Sequence, residues 1–180
     1  MALSIQDEED RDLYLLDAVR WLAANGIWQK AYGAAQLMSE GYEKSEALQS
    51  VGDYLASVGH LEKALIIFTE AEKVSTAENL SEWQQAELLH KIAKSLQKSK
   101  AVFKADEVWE KAIAIARKGE NSPSSQDSLD SSGVLAEIAE NFAAEERFEK
   151  ASAIAQKLKN RKQKTLQHLA DYFQQAKRVA

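Results

Sequence analysis

Over most of this chain, apolar residues recur three and four positions apart, the spacing of one buried face on an α-helix. The pattern is sharpest between Val51 and Ala71. Leu48, Val51, Gly52 and Leu55 share one helical face, and Leu61, Ala64, Leu65, Phe68 and Ala71 share another. Gly59 stands between them, where a first helix would stop, because glycine takes the left-handed conformation without a Cβ clash. Helix backbones approach closely only where the facing side chains are small. Gly52 and Ala64 supply that approach here, and Phe68 fills the wider gap beyond. The stretch predicts two helices joined by a tight turn.

The same pattern recurs along the chain. Leu15, Ala18, Val19, Leu22 and Gly26 lead to Trp28, Ala31, Ala35 and Met38. Leu89, Ile92, Ala93 and Leu96 lead through Lys100 to Val102, Ala105, Trp109 and Ala112. Leu135, Ile138, Ala139 and Phe142 lead through Glu146 to Phe148, Ala151, Ala155 and Leu158. Leu166, Leu169, Ala170 and Phe173 form a first helix with no second. The leading leucines therefore step by 33, 41, 46 and 31 residues.

This resembles the tetratricopeptide repeat, a helix–turn–helix unit of about 34 residues. Val51-Gly52, Leu55, Gly59, Ala64, Phe68 and Ala71 match its large–small pair, its turn and its Ala–Phe–Ala face. Ala105, Trp109 and Ala112 repeat that face. No copy has the proline that often closes a unit, and Lys100 and Glu146 replace the turn glycine. The resemblance covers roughly residues 12–177. It implies an all-α fold, a right-handed α-solenoid of four helix pairs with a C-terminal capping helix. A plain helical bundle is the alternative.

The expected elements follow from local signals. Residues 1–11 read as a short acidic tail. The first helix is expected over 12–24, with Asn25-Gly26 as a turn, and the second over 28–39. Ser81 to Gln84 reads as a capping box opening a fifth helix that runs to about Gln97. A sixth helix is expected over 101–118. Gly119 to Gly133, GENSPSSQDSLDSSG, holds the only proline, six serines and almost nothing apolar. Such a stretch predicts a serine-rich mobile loop at 119–133. It reads as an insertion or, alternatively, a phosphorylation or docking segment. Helices over 134–144, 147–159 and 163–177 complete the reading.

Composition changes this picture little. With Pro 1 and Gly 7, helix is favoured throughout. The absence of cysteine excludes disulfides and thiolate chemistry. MALSIQDEED has no basic stretch followed by an apolar run, and no segment reaches the roughly 18 apolar residues of a membrane span. A soluble, cytoplasmic protein is expected. Charge is unevenly distributed. Residues 1–90 hold 6 Lys+Arg against 16 Asp+Glu, a balance of −10, and residues 91–180 hold 17 against 12, a balance of +5. Solvated surface accounts for this. A sharper reading is partner steering, or head-to-tail self-association.

No phosphate loop, HExxH or GxSxG motif is present. His60, His90 and His168 stand far apart in sequence. No catalytic residue, metal ligand or cofactor site is therefore expected, and the chain reads as non-enzymatic. The resemblance implies a binding role, with the first helix of each pair lining a concave groove that takes a peptide or helix of a partner protein. Carried onto this sequence, the groove positions are Asp17, Arg20, Glu46, Gln49, Asp53, Glu87, His90, Lys94 and Lys98. Glu137, Glu140, Gln167 and Asp171 continue the set. The Lys/Asn carboxylate clamp of some members is missing, because Leu16, Arg20, Gln49 and Asp53 occupy its positions.

Trp28, Leu61, Val102 and Phe148 share one repeat position and read as core. Tyr14, Trp21, Tyr32 and Trp83 fit the inward pattern less well, and exposed aromatics there would form an interaction patch. Lys157, Lys159, Arg161, Lys162 and Lys164 form a basic run, but a pI near 5.3 argues against RNA. The alternatives to a binding scaffold are a self-associating assembly factor and, further off, an RNA-binding helical repeat.

Overall fold

The computed structural model describes residues 7–159 and 161–179. Among these the chain is all-α, with nine helices and no strand. They are α1 Glu8–Ala24, α2 Trp28–Gln36, α3 Tyr42–Ser57, α4 Leu61–Ser75, α5 Glu82–Lys98, α6 Val102–Gly119, α7 Ser125–Ala144, α8 Phe148–Ala155 and α9 Lys162–Val179. They gather into two compact units. One takes Met1–Leu80 with Lys91–Val108, the other Ser81–His90 with Trp109–Ala180, so α5 and α6 contribute to both.

One turn is built four times. The N–H of Ile27 donates to the Leu22 carbonyl, His60 to Leu55, Ala101 to Leu96 and Arg147 to Phe142, each at 2.8–2.9 Å. The preceding residue donates three positions back in every case and takes a positive φ: Gly26 at 79°, Gly59 at 84°, Lys100 at 64° and Glu146 at 61°. Paired bonds of this kind close a helix C-terminus on its own last carbonyls. Lys100 and Glu146 adopt the glycine conformation at a cost of about 1 kcal/mol each.

In the first unit, Leu48, Val51, Leu55, Ala64, Phe68 and Ala71 are buried, as the pattern requires. A Cβ added at Gly52 would stand 2.5 Å from Cε1 of Phe68, so only glycine admits the ring. The Ser45 hydroxyl donates to the Ala71 carbonyl at 3.1 Å, tying the start of α3 to the end of α4. The helices also meet in parallel rows. Glu46 of α3 meets Lys91 of α5, and Gln49 meets Ser95, with partners advancing together along both helices. On α2 and α4 the Lys63 ammonium lies 5.0 Å from the Trp28 ring, while Tyr32 and Gln36 both donate to Glu70.

In the second unit, Trp109 packs on Phe142 with ring centroids 4.9 Å apart, and Leu88, Leu89, Leu135 and Ile138 complete the core. At Ser81–Gln84 the reach-back bond of the box forms, the Gln84 side chain accepting from the Ser81 N–H at 3.1 Å, while the Ser81 hydroxyl donates to the same oxygen at 3.0 Å.

Three expectations are corrected. The serine stretch is not a loop over 119–133. Only a short connection separates α6 from α7, and residues 125–133 are helix. Ser124 caps it, its hydroxyl accepting from the Asp127 N–H at 3.3 Å. Ser131 and Ser132 are fully buried. The residues are small and polar because they pack against Gly119 and Glu120. The Ser132 hydroxyl donates to the buried Glu120 carboxylate at 2.5 Å, and the Ser128 hydroxyl donates to the Glu120 carbonyl at 2.9 Å.

The acidic tail expected over 1–11 is also shorter, since residues 8–11 form the first turn of α1, where negative side chains favour the helix dipole. Residues 1–6 lie outside the described set. Finally, Leu61 and Val102 are not core but 45% and 49% exposed, and Trp28 and Phe148 are half-buried. All four open a second helix, where the neighbours cover one side only.

Candidate functional site

The predicted groove residues of the first unit do converge. The Arg20 guanidinium reaches Glu46 at 2.9 Å and stands 3.8 Å from Asp17. Glu46 also receives the Lys91 ammonium at 2.6 Å, and Lys91 donates on to the Tyr42 hydroxyl at 2.7 Å. One carboxylate thus bridges cations from α1 and α5 across α3. The Gln49 amide donates to the Ser95 hydroxyl at 3.0 Å.

Asp53 lies one turn further along α3. Burial raises the pKa of its carboxyl, although the residue as a whole is exposed; the hydrogen bond from Ser95 and the charge of Lys98 pull it back down. Lys94 is exposed and makes no ion pair among the described residues. Arg20, Ser50, Asp53, Tyr54 and Ser57 line an open depression of about 500 Å³.

Glu87 and His90 belong to the second unit and behave differently. His90 is not a surface position, being only 3% exposed. The Trp109 indole N–H donates to its Nδ1 at 3.4 Å. Its Nε2 lies 3.3 Å from the Asn141 amide nitrogen and 3.8 Å from the Glu137 carboxylate. Its role is to satisfy a buried tryptophan. Glu87 lines a small pocket of about 270 Å³ with Trp83, Asp130, Gly133, Glu137 and Arg161. His168 of α9 holds Glu140 of α7 at 2.6 Å.

Sequence reasoning missed Tyr42, Ser95 and Glu70, whose partners lie 38 to 49 residues away. Of the four aromatics singled out, Tyr14 and Trp21 are more than 60% exposed, whereas Tyr32 and Trp83 are half-buried. Among the described residues no group of three or more His, Asp or Glu is placed to hold a metal ion. No helix among them is long and apolar enough to cross a membrane. No family model, no curated protein and no solved structure matches this chain.

Proposed function

We propose that this chain is a tetratricopeptide-like, right-handed helical-repeat scaffold, not an enzyme, that captures a peptide or helix of a partner protein on the face formed by its first helices. The observation carrying this reading is the parallel row of α3 against α5, with Glu46–Lys91 and Gln49–Ser95 as successive contacts. Parallel first helices joined by one repeated turn are what stacked helical hairpins require. The polar side chains on that row retain capacity for a ligand. Asp53 is exposed on the next turn of α3 with the charge of Lys98 acting on its carboxyl, and Lys94 is exposed and makes no ion pair among the described residues. An extended segment or amphipathic helix is the ligand class such a preformed surface takes.

The test is affinity capture from native lysate, with wild type beside Asp53→Lys/Lys94→Glu and equal folding verified by circular dichroism. A protein retained by wild type and lost by the variant supports the reading. Equal recovery by both overturns the assignment to this face.

A further inference from the structure

We propose that the edge of the first unit formed by its three repeated turns docks on an anionic lipid surface. This goes beyond the groove reading and uses none of the groove residues.

The three turns leave the unit by the same end. Arg11 of α1 meets Ser39 just before α3, and Arg20 meets Glu46 within it, so α1 and α3 run parallel. The Glu46–Lys91 and Gln49–Ser95 contacts make α5 parallel to both. The turn at Gly26 lies against the Tyr54 hydroxyl, which a Cβ there would approach to 3.0 Å. The Lys63 ammonium reaches back from just beyond the second turn to the Trp28 ring beyond the first.

Each turn carries apolar side chains outward. Ile27 follows Gly26 and is exposed. Val58 is 47% exposed, and Leu61 stands three residues on. Val102 and Phe103 open α6 after the third turn, and Phe103 is 96% exposed. It faces away from the buried stripe of Ala105, Val108, Trp109 and Ala112, so it contributes nothing to the packing of the fold.

The exposed charges beside these side chains are mostly basic. Within residues 24–30, 57–63 and 98–104 the single acidic residue is Glu62. Lys30, Lys63 and Lys100 are exposed there, together with His60. Lys30 and Lys100 make no ion pair among the described residues. Lys104 is committed to Glu72 and Glu107, and Lys98 faces Asp53 in the groove, so neither is counted. Lys30 and Lys63 stand in the first turns of α2 and α4, where a positive charge opposes the helix dipole. That placement does nothing for the helices and suits an anion outside them.

Apolar tips rimmed by lysine are what an anionic bilayer interface takes. The apolar side chains enter the boundary between headgroups and acyl chains, while the ammonium groups stay level with the phosphates. The apolar residues are spread over three turns, not gathered in one hollow, which suits a broad surface more than a single peptide. The contact is peripheral and reversible.

Flotation with two kinds of vesicle tests this, one of phosphatidylcholine alone and one with about a third phosphatidylserine. The wild type should float with the anionic vesicles, bind the neutral ones about tenfold or more weakly, and be released by high salt. Phe103→Ser should melt like wild type and bind anionic vesicles about fivefold or more weakly. Lys30→Glu/Lys100→Glu should lose about tenfold or more. A wild type that floats with neither vesicle, or equally with both, would overturn the proposal. So would either variant binding as wild type does, and retention of an acidic protein through Phe103 without lipid binding would give this edge to a protein partner instead. Asp53→Lys/Lys94→Glu should float like wild type, so failure of the groove reading and failure of this one are distinguishable.

Discussion

Two helix crossings in this protein rest on a glycine, and they are made of opposite materials. Where α3 meets α4, the missing Cβ of Gly52 admits the ring of Phe68, a large apolar group that is 1% exposed. Where α6 meets the first turns of α7, a Cβ on Gly119 would stand 2.0 Å from the Ser131 hydroxyl oxygen and 3.0 Å from its Cβ. The first crossing is large into small and driven by burial of apolar surface. The second sets small against small and is held by serine hydroxyls on Glu120. Close helix packing therefore does not require an apolar stripe. A row of serines serves when a buried acceptor stands opposite.

The contrast orders the expected effects of substitution. Phe68→Ala should be the most damaging, lowering stability by about 3–5 kcal/mol in thermal or urea unfolding. A loss below about 1 kcal/mol would mean the ring does not hold the crossing. Gly52→Ala comes next. The new methyl meets a fully buried ring, and overpacking of about 1–3 kcal/mol should outweigh the gain in helix propensity. Gly119→Ala should cost less, since the Ser131 hydroxyl can rotate aside and α6 ends there. Its cost should depend on Ser131→Ala by more than about 0.5 kcal/mol in a double-mutant cycle. Additivity would break the claim that these two residues share one contact. Ser131→Ala alone should be neutral or stabilising, because its buried hydroxyl has no hydrogen-bond partner among the described residues.

The smallest effect concerns Asp53 and depends on pH. Its raised pKa means the folded state holds the proton more tightly than the unfolded chain. The associated stability is complete below the ordinary carboxylate range and is lost as pH rises through the folded value. Asp53→Asn should therefore be at least as stable as wild type near neutral pH, with the difference closing on acidification. Urea midpoints across the acid range would show it, and an Asn variant that is less stable near neutral pH would contradict the sign.

The apolar crossing was legible in the sequence because Leu48, Val51, Leu55, Ala64 and Phe68 carry its signal locally. The turns at Lys100 and Glu146 were legible too, although neither is glycine, because the flanking helices keep their period. The serine crossing was not. Its partners are Glu120 and the Lys159 N–H, and a window over residues 125–133 contains neither. The repeat position places His90 in the groove, while the Trp109 donor that meets its buried ring lies 19 residues on. Of the candidate surface, the charges on α1, α3 and α5 could be placed by repeat position. Which cation Glu46 holds could not, because that depends on side-chain reach between helices.

Glu120 has a temporal consequence. Its carboxylate accepts from Ser132, twelve residues downstream, and from the Lys159 N–H, 39 residues downstream. During synthesis α6 and α7 emerge first, and their joint holds a carboxylate whose second donor has not yet been made. Burying that charge early is unfavourable until the chain reaches Lys159. The second unit should accordingly close late and in one step, with a single glutamate setting the order in which its helices become committed.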